Sequence, residues 1–385
     1  MSAFAAVRAE PWAHAGPASA PARIALLGTG TVGRAVLERL ASWADTSLGA
    51  RLSLAYVANS RQAMQRTCAA DGYADATSAV HGTGIHALPG CAALAPCATN
   101  LSRIETILEG SAARIVIDAT ASDAVADRHA HWLAQGIHVV TACKLGGGTA
   151  LARWRAIRAG CARGGTSYGD SATVGAGLPL LRTLRDLQAG GDRIHAIAGV
   201  LSGSLAWLFH QYDGMRPFSA LIRQARDAGY TEPDPRDDLS GEDVRRKLLI
   251  LARAAGLPLE TDGVDVESLV SPALAALATP DVDGALELLD APLRTRYAAA
   301  WKNGARLRFI ARLDARGARP QARVGLEALA ADDPLAGGAG TDNRVAIWSD
   351  RYARQPLVIQ GPGAGAEVTA AALLDDALRI AGAAG

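Results

Sequence analysis

The chain has 385 residues, with 39 Lys and Arg against 38 Asp and Glu, for a formal net charge of +1. That balance excludes the basic footprint of a nucleic-acid-binding protein, and 49% hydrophobic with 20% charged residues describes a globular chain rather than a disordered one. No run of 18 apolar residues occurs, so no membrane span is expected. Residues 1–21, rich in Ala and Pro and interrupted by Glu10 and Pro11, read as a mobile tail and not a signal peptide, which leaves a cytoplasmic address.

The first element after the tail is Arg23–Leu27, a short apolar run with the length of a buried strand. It leads into Gly28-Thr29-Gly30-Thr31-Val32-Gly33, and a helical pattern follows over residues 34–40. A G-x-G-x-x-G run between strand and helix is the context in which a dinucleotide pyrophosphate binds. Gly28 allows the tight turn, Gly30 lets backbone approach the phosphates, Gly33 lets helix and strand pack closely, and the helix N-terminus offers free N–H donors. A second strand, Leu52–Ala58, ends at Asn59-Ser60-Arg61. A carboxylate there would select the ribose 2′-hydroxyl, whereas Arg61 beside two small hydrogen-bonding groups suits a 2′-phosphate, so NADP is favoured over NAD, or both are used. Residues 114–120 and 136–141 read as further strands, and the alternation points to a parallel α/β sheet.

From about residue 155 Gly-rich turns separate longer helices and short strands. The Ala-rich stretch from about 265 to 305 reads as helical, 307–313 and 322–326 as half-exposed strands, and 356–359 as a strand before a Gly361–Gly365 loop and a last helix. Five cysteines make no disulfide framework, and eight histidines make no zinc set, His129 and His131 reading as the polar face of a helix. Residues 169–173 lack the final Gly of a hydrolase nucleophile elbow. Only three of the 39 basic residues are lysines, Lys144, Lys247 and Lys302. In a chain that uses Arg wherever charge suffices, a retained Lys is either chance or a candidate for chemistry that Arg cannot do, because a buried Lys can lose its proton and Arg cannot.

The densest chemistry lies between Gly229 and Lys247, in a Pro-braced acidic turn before a helix. Ser240 as N-cap would place Asp243 and Lys247 on one face, four residues apart. That spacing suits an ordinary ion pair. It equally suits carboxylates that hold a substrate ammonium beside an amine that moves a proton.

In order along residues 22–382, these motifs resemble homoserine dehydrogenase, in particular the dehydrogenase half of the bifunctional aspartokinase–homoserine dehydrogenases. The resemblance rests on the Gly28–Gly33 loop, Ala58-Asn59-Ser60-Arg61, Val139–Thr141 leading to Lys144, Val174–Pro179, Leu201–Leu205, the block Gly229–Gly241 with Asp243 and Lys247, and Gly361–Gly365 before Val368-Thr369-Ala370. It implies a Rossmann-type parallel-sheet domain over 22–150, an α+β substrate and dimerisation domain over 151–344, and a segment over 345–385 that returns to the nucleotide domain. It also implies a homodimer that interconverts L-aspartate 4-semialdehyde and L-homoserine with NADP or NAD, in threonine, methionine and isoleucine biosynthesis. By position, Lys247 would be the acid–base residue. Glu232, Asp243 and Thr173 would bind the amino-acid substrate, Lys144 would stand between substrate and cofactor, and Thr120, Gly229 and Gly365 would line the nicotinamide side.

Two positions depart from the family pattern. Cys143 stands where the family has Asn. Ser171 stands where it has an acid that helps bind a monovalent cation, Na or K, with backbone carbonyls matching Val174, Ala176 and Leu178, so that site is expected to be weakened unless Asp170 substitutes. The length leaves no room for an aspartokinase domain or a threonine-sensing module, and feedback control is not expected. The remaining alternatives are another nicotinamide-dependent semialdehyde or hydroxy-acid oxidoreductase, and a catalytically silent nucleotide-binding protein.

Overall fold

A computed structural model describes residues 20–66, 89, 91, 94–110 and 113–383 of the chain. Most of the stretch read as a tail, residues 1–19, lies outside the described residues. Two sheets organise the rest. The first has seven strands, β1 (Ala22–Leu27), β2 (Leu52–Ala58), β3 (Ala63–Gln65), β4 (Ala95–Cys97), β5 (Arg114–Asp118), β6 (His138–Thr141) and β7 (Tyr168–Gly169), in the order β4-β3-β2-β1-β5-β6-β7. The five from β2 to β7 in that order run parallel, and the edge pair β3 and β4 runs antiparallel, a departure from an all-parallel sheet.

The apolar runs of β1 and β5 reflect burial on both faces. On one face Ile24, Leu26, Ile115 and Ile117 meet Val36 and Leu37 of helix Thr31–Ser42 and Leu373 and Leu374 of helix Ala366–Ala383. On the other, Ala25, Leu27 and Val116 meet Trp132, Leu133 and Ile157 from helices His129–Ala134 and Leu151–Gly164.

The second sheet has six strands, β8 (Ile194–Val200), β9 (Val264–Val266), β10 (Arg306–Asp314), β11 (Gln321–Leu329), β12 (Asp342–Ser349) and β13 (Leu357–Pro362), in the order β13-β12-β8-β10-β11-β9. Helix Leu180–Ala189 presents Leu180, Leu181, Leu184 and Leu187 to the core on this sheet, and each such leucine contributes roughly 1.5–3 kcal/mol of burial. The stretch expected to be one helical region over 265–305 is instead β9 followed by short turns of helix before the helix Asp290–Lys302. Pro272 and Pro280 sit at helix starts, where a missing N–H costs nothing, so each opens a new turn and none continues.

The junctions between the two halves also differ from the division expected at 151 and 345. Helix Leu151–Gly164 and β7 still serve the first sheet, and β12 and β13 pair within the second. Only helix Ala366–Ala383 crosses back, packing on helix Thr31–Ser42, so we place the junctions near residues 170 and 365. Among the described residues no helix is long and apolar enough to cross a membrane.

The turn after β1 depends on its glycines. Gly28 has φ +95°, and a side chain on Gly33 would overlap the Gly28 carbonyl, whereas nothing lies within 4 Å of a Cβ on Gly30. Gly33→Ala is therefore expected to cost about 1–3 kcal/mol, seen as a lower thermal-unfolding midpoint. Gly30→Ala should leave the midpoint in place, and equal midpoints for the two variants would contradict this packing.

Candidate active site

The acidic turn is built by local capping. Asp234 accepts the Arg236 N–H at 3.0 Å and its guanidinium at 2.6 Å, with Pro235 opening the short helix Pro235–Leu239. Gly241, at φ +79°, is the N-cap of the next helix, Glu242–Ala254. The expected N-cap, Ser240, lies one residue earlier, where its Oγ still accepts the Glu242 N–H at 3.2 Å and donates to the Asp237 carbonyl. A left-handed residue reverses the chain between the two helices, which a serine does poorly.

Asp238 holds the turn against the helix Gly203–Gln211. Its carboxylate accepts the Ser204 hydroxyl at 2.6 Å and the Glu232 N–H at 2.8 Å, and burial raises its carboxyl above the ordinary range despite those two donors. Glu232 itself is exposed and faces a cleft of about 1110 Å³ with Asp234, Asp237, Asp238 and Ser204. Asp238 and Ser204 were not singled out from sequence. The acidic block contained the first, but its partnership with a helix 34 residues earlier had no local signal.

In the first turn of helix Glu242–Ala254, Asp243 lies between two ammonium groups. The Lys247 Nζ is 2.8 Å from one carboxylate oxygen and the Lys144 Nζ is 3.4 Å from the other. Lys247 also donates to the Leu201 carbonyl at 2.8 Å, and its side chain is 11% exposed. Burial would raise the Asp243 carboxyl, but the two lysines outweigh it and hold the group at about 2. For Lys247, burial lowers the ammonium below its ordinary value, Lys144 pushes the same way, and Asp243 pulls back. Lys302, the third lysine, is exposed at a helix end far along the second half.

Lys144 follows β6, in the first half of the molecule. Lys144, Lys247, Ala364 and Gly365 border both the acidic cleft and a smaller cavity of about 420 Å³ lined by Thr31, Val32, Thr120, Thr173 and Gly363. The two lysines thus stand at the seam between a phosphate-loop cavity and an acidic one. Gly229, at φ +73°, lines the acidic cleft and not the smaller cavity beside Thr120 where it was expected. Thr173, expected on substrate, borders the smaller cavity, is buried, and donates its hydroxyl to the Asp170 carbonyl at 2.7 Å.

The loop Gly28–Gly33 meets the end of β2 through Asn59. Its amide donates to the Thr29 hydroxyl at 3.0 Å while its carbonyl accepts the N–H groups of Arg61 and Gln62 at 2.9 and 2.8 Å. Arg61 is left exposed at that strand end, making no ion pair among the described residues. Loop, strand end and helix N-terminus therefore fit a dinucleotide phosphate chain. Deeper in, Thr120 gives its N–H and hydroxyl to one oxygen of Asp118, at 2.9 and 2.7 Å. His129 is not on a polar helix face as expected but fully buried, 3.0 Å from the other Asp118 oxygen. Burial pushes the Cys143 thiol up to about 12, so it stays protonated and unreactive.

The donor set for a monovalent cation does not fit. Gly175 and Ala176 both have positive φ, at +71° and +48°, which shapes the loop carrying the Val174, Ala176 and Leu178 carbonyls. The Leu178 carbonyl accepts the Leu180 N–H at 2.8 Å. Ser171 turns its hydroxyl and N–H to Asp376, both at 3.0 Å, and Asp170 is taken by Arg185 at 2.7 and 2.8 Å, so Asp170 does not stand in for the missing acid. Among the described residues no three His, Cys, Asp or Glu side chains gather to hold a metal ion.

Two family models match the chain, "Homoserine dehydrogenase" over residues 179–378 and "Homoserine dehydrogenase, NAD binding domain" over residues 28–168. The bifunctional aspartokinase/homoserine dehydrogenase 2 of Escherichia coli (strain K12) is 47% identical over 270 residues, which are 69% of this chain and 33% of that protein. The chain thus spans about a third of the length of this bifunctional relative. The homoserine dehydrogenase of Emericella nidulans is 38% identical over 290 residues, 72% of this chain and 78% of that one. Of solved structures, a Candida auris protein of unknown function superposes with a TM-score of 0.80 at 34% identity, covering 94% of this chain and 98% of that one. A hyperthermophilic archaeal homoserine dehydrogenase in complex with NADPH shares the fold, with a TM-score of 0.65 at 18% identity over 94% of this chain and 97% of that one.

Removing the Asp238 carboxylate strands the Glu232 amide and leaves the Ser204 hydroxyl with Ser202 alone. Asp238→Ala is expected to cost about 1 kcal/mol in urea unfolding and to speed amide exchange across residues 229–234. Exchange at the wild-type rate would mean that other contacts hold the turn.

Proposed function

The chain belongs to the homoserine dehydrogenase family, and from that premise we propose that it catalyses the reversible, NAD(P)-dependent reduction of L-aspartate 4-semialdehyde to L-homoserine. The observation that carries this reading is the Lys247 ammonium, largely buried, paired with Asp243 and set at the seam of the two cavities. Gly28–Gly33, with Thr120 and Gly365 in the smaller cavity, would hold a nicotinamide cofactor, which when bound would supply or accept the hydride.

Everything else is done by side chains. Glu232 and Asp243 attract the substrate ammonium, the first kept in place by the Pro-braced turn and the second by the start of helix Glu242–Ala254, without a large ordering cost. As negative charge grows on the carbonyl oxygen, Lys247 Nζ stabilises it and then gives up a proton. In the direction of oxidation the neutral amine takes that proton from the hydroxyl. Lys144, from the other half of the molecule, adds a second positive charge at the seam and lowers the affinity of Lys247 for its proton. Arg61, presented by Asn59 at the end of β2 with no carboxylate partner among the described residues, supports NADP over NAD. Resemblance to the family supports a homodimer, which sedimentation would register at about twice 39.7 kDa.

The deciding assay follows absorbance of reduced nicotinamide with homoserine and NADP or NAD. Lys247→Ala should lower kcat by roughly 10²- to 10⁴-fold, and activity retained in that variant would sink its assignment. Oxidation needs the neutral amine, so kcat/KM should rise with pH along a limb centred below the ordinary lysine value of 10.5. Lys144→Met removes a repulsion and moves that limb to higher pH, whereas Asp243→Asn removes an attraction and moves it lower. Arg61→Ala should raise KM for NADP about tenfold and leave that for NAD nearly unchanged.

A further inference from the structure

We propose that the buried Asp118–His129–Tyr168 chain, with Gly146, is the positioning device for Lys144. The proposal rests on the reading of Lys144 as part of the reaction machinery and goes beyond it to residues that touch neither substrate nor cofactor. Asp118 ends β5, and every donor around it is accounted for. One carboxylate oxygen takes both hydrogen bonds from Thr120. The other takes the Thr141 hydroxyl at 3.1 Å and His129 Nε2 at 3.0 Å. On the far side of the imidazole, Nδ1 is 3.2 Å from the Tyr168 hydroxyl. Asp118, His129 and Thr141 are wholly excluded from solvent. Burial keeps the Tyr168 phenol protonated, so its hydroxyl has a hydrogen to give to Nδ1 in the tautomer whose Nε2–H points at Asp118. A polar chain with every member satisfied admits one arrangement, which a purely apolar filling of the same space would not impose.

That arrangement grips the Lys144 loop on both flanks. Before the lysine, the Cys143 N–H donates to the Thr141 hydroxyl at 2.8 Å. After it, Gly146 lies directly on the Tyr168 hydroxyl. A Cβ there would overlap that oxygen and would stand 3.2 Å from Ile157 Cδ1 and 3.4 Å from His129 Nδ1. The loop's other surface is pressed onto the helix that carries Lys247. Cβ atoms on Gly147 and Gly148 would meet Ile250 at 3.2 Å and Arg246 at 3.0 Å, and the Gly147 carbonyl accepts Arg253 at 2.6 Å. Three successive glycines thus let the loop fit between the buried chain and that helix, and the 3.4 Å approach of Lys144 to Asp243 follows from the thickness of this sandwich.

The test is a double-mutant cycle on Gly146→Ala and Tyr168→Phe in the full-length chain, at a temperature where circular dichroism finds every variant folded. Gly146→Ala should lower kcat/KM for homoserine by about 10- to 100-fold, because the added methyl meets the hydroxyl and displaces the loop. Tyr168→Phe removes the obstructing oxygen, and Gly146→Ala in that background should cost less than about threefold. Wild-type kinetics in Gly146→Ala, or the same loss in both backgrounds, would overturn the proposal. Should the wild type not turn over homoserine at all, the functional reading fails first. The cycle is then read in urea-unfolding midpoints. Equal costs of Gly146→Ala in the wild-type and Tyr168→Phe backgrounds overturn the packing, and unequal costs uphold it.

Discussion

Asp243 is flanked by two ammonium groups that arrive from different halves of the molecule, and that triad is the constraint to which the rest of the structure answers. A carboxylate with one lysine is a common helix-surface pair. With two, it becomes a joint between a loop of the first sheet and a helix of the second unit. Neither lysine is fully neutralised, because one carboxylate cannot balance two cations. The surplus positive charge sits where an oxygen that gains electrons would be placed, while the surrounding turn supplies Glu232, Asp234, Asp237 and Asp238 to keep the cleft as a whole acidic.

Much of this was legible in the residues, and where it was not the reason is physical. The strand, glycine loop and helix from Ala22 to Ser42 follow from local chemistry, as does the capped acidic turn. The scarcity of lysine pointed to Lys144, Lys247 and Lys302 alike, because arginine supplies the positive charge elsewhere, and only the first two meet at the seam. The readings that moved were those settled by partners distant in the chain. Ser171 turns to Asp376, 205 residues away, and Asp170 to Arg185, so neither is free for a cation. His129 looks like a surface residue until β5 brings Asp118 beneath it. Thr173 and Gly229, placed by the family resemblance alone, each border the other of the two cavities. Ser240 missed the cap by one position, since Gly241 alone can take the left-handed turn that separates two consecutive helices.

The two halves also use polar burial differently. In the nucleotide half one chain of polar groups runs from Thr120 to Tyr168 with its own donors matched, while Trp132 Nε1 beside it has no partner. Across the seam the polar groups are only partly buried and their charges are left open. Rigidity lies behind the site and unspent charge lies in it.

Helix Ala366–Ala383 crosses from the second sheet to cover the first, where Leu373 and Leu374 close the face formed by Ile24, Leu26, Ile115 and Ile117. On the ribosome these strands are made roughly 250 residues or more before their cover. Through all of that interval this apolar face has only Val36 and Leu37 of helix Thr31–Ser42 against it, and the core of the nucleotide half stays incomplete. The halves are therefore coupled in time as well as in space. The loop that will hold the cofactor gains its final support only when this eighteen-residue helix has emerged, and a nascent chain stalled short of Ala366 would be a substrate for chaperones rather than a partial enzyme.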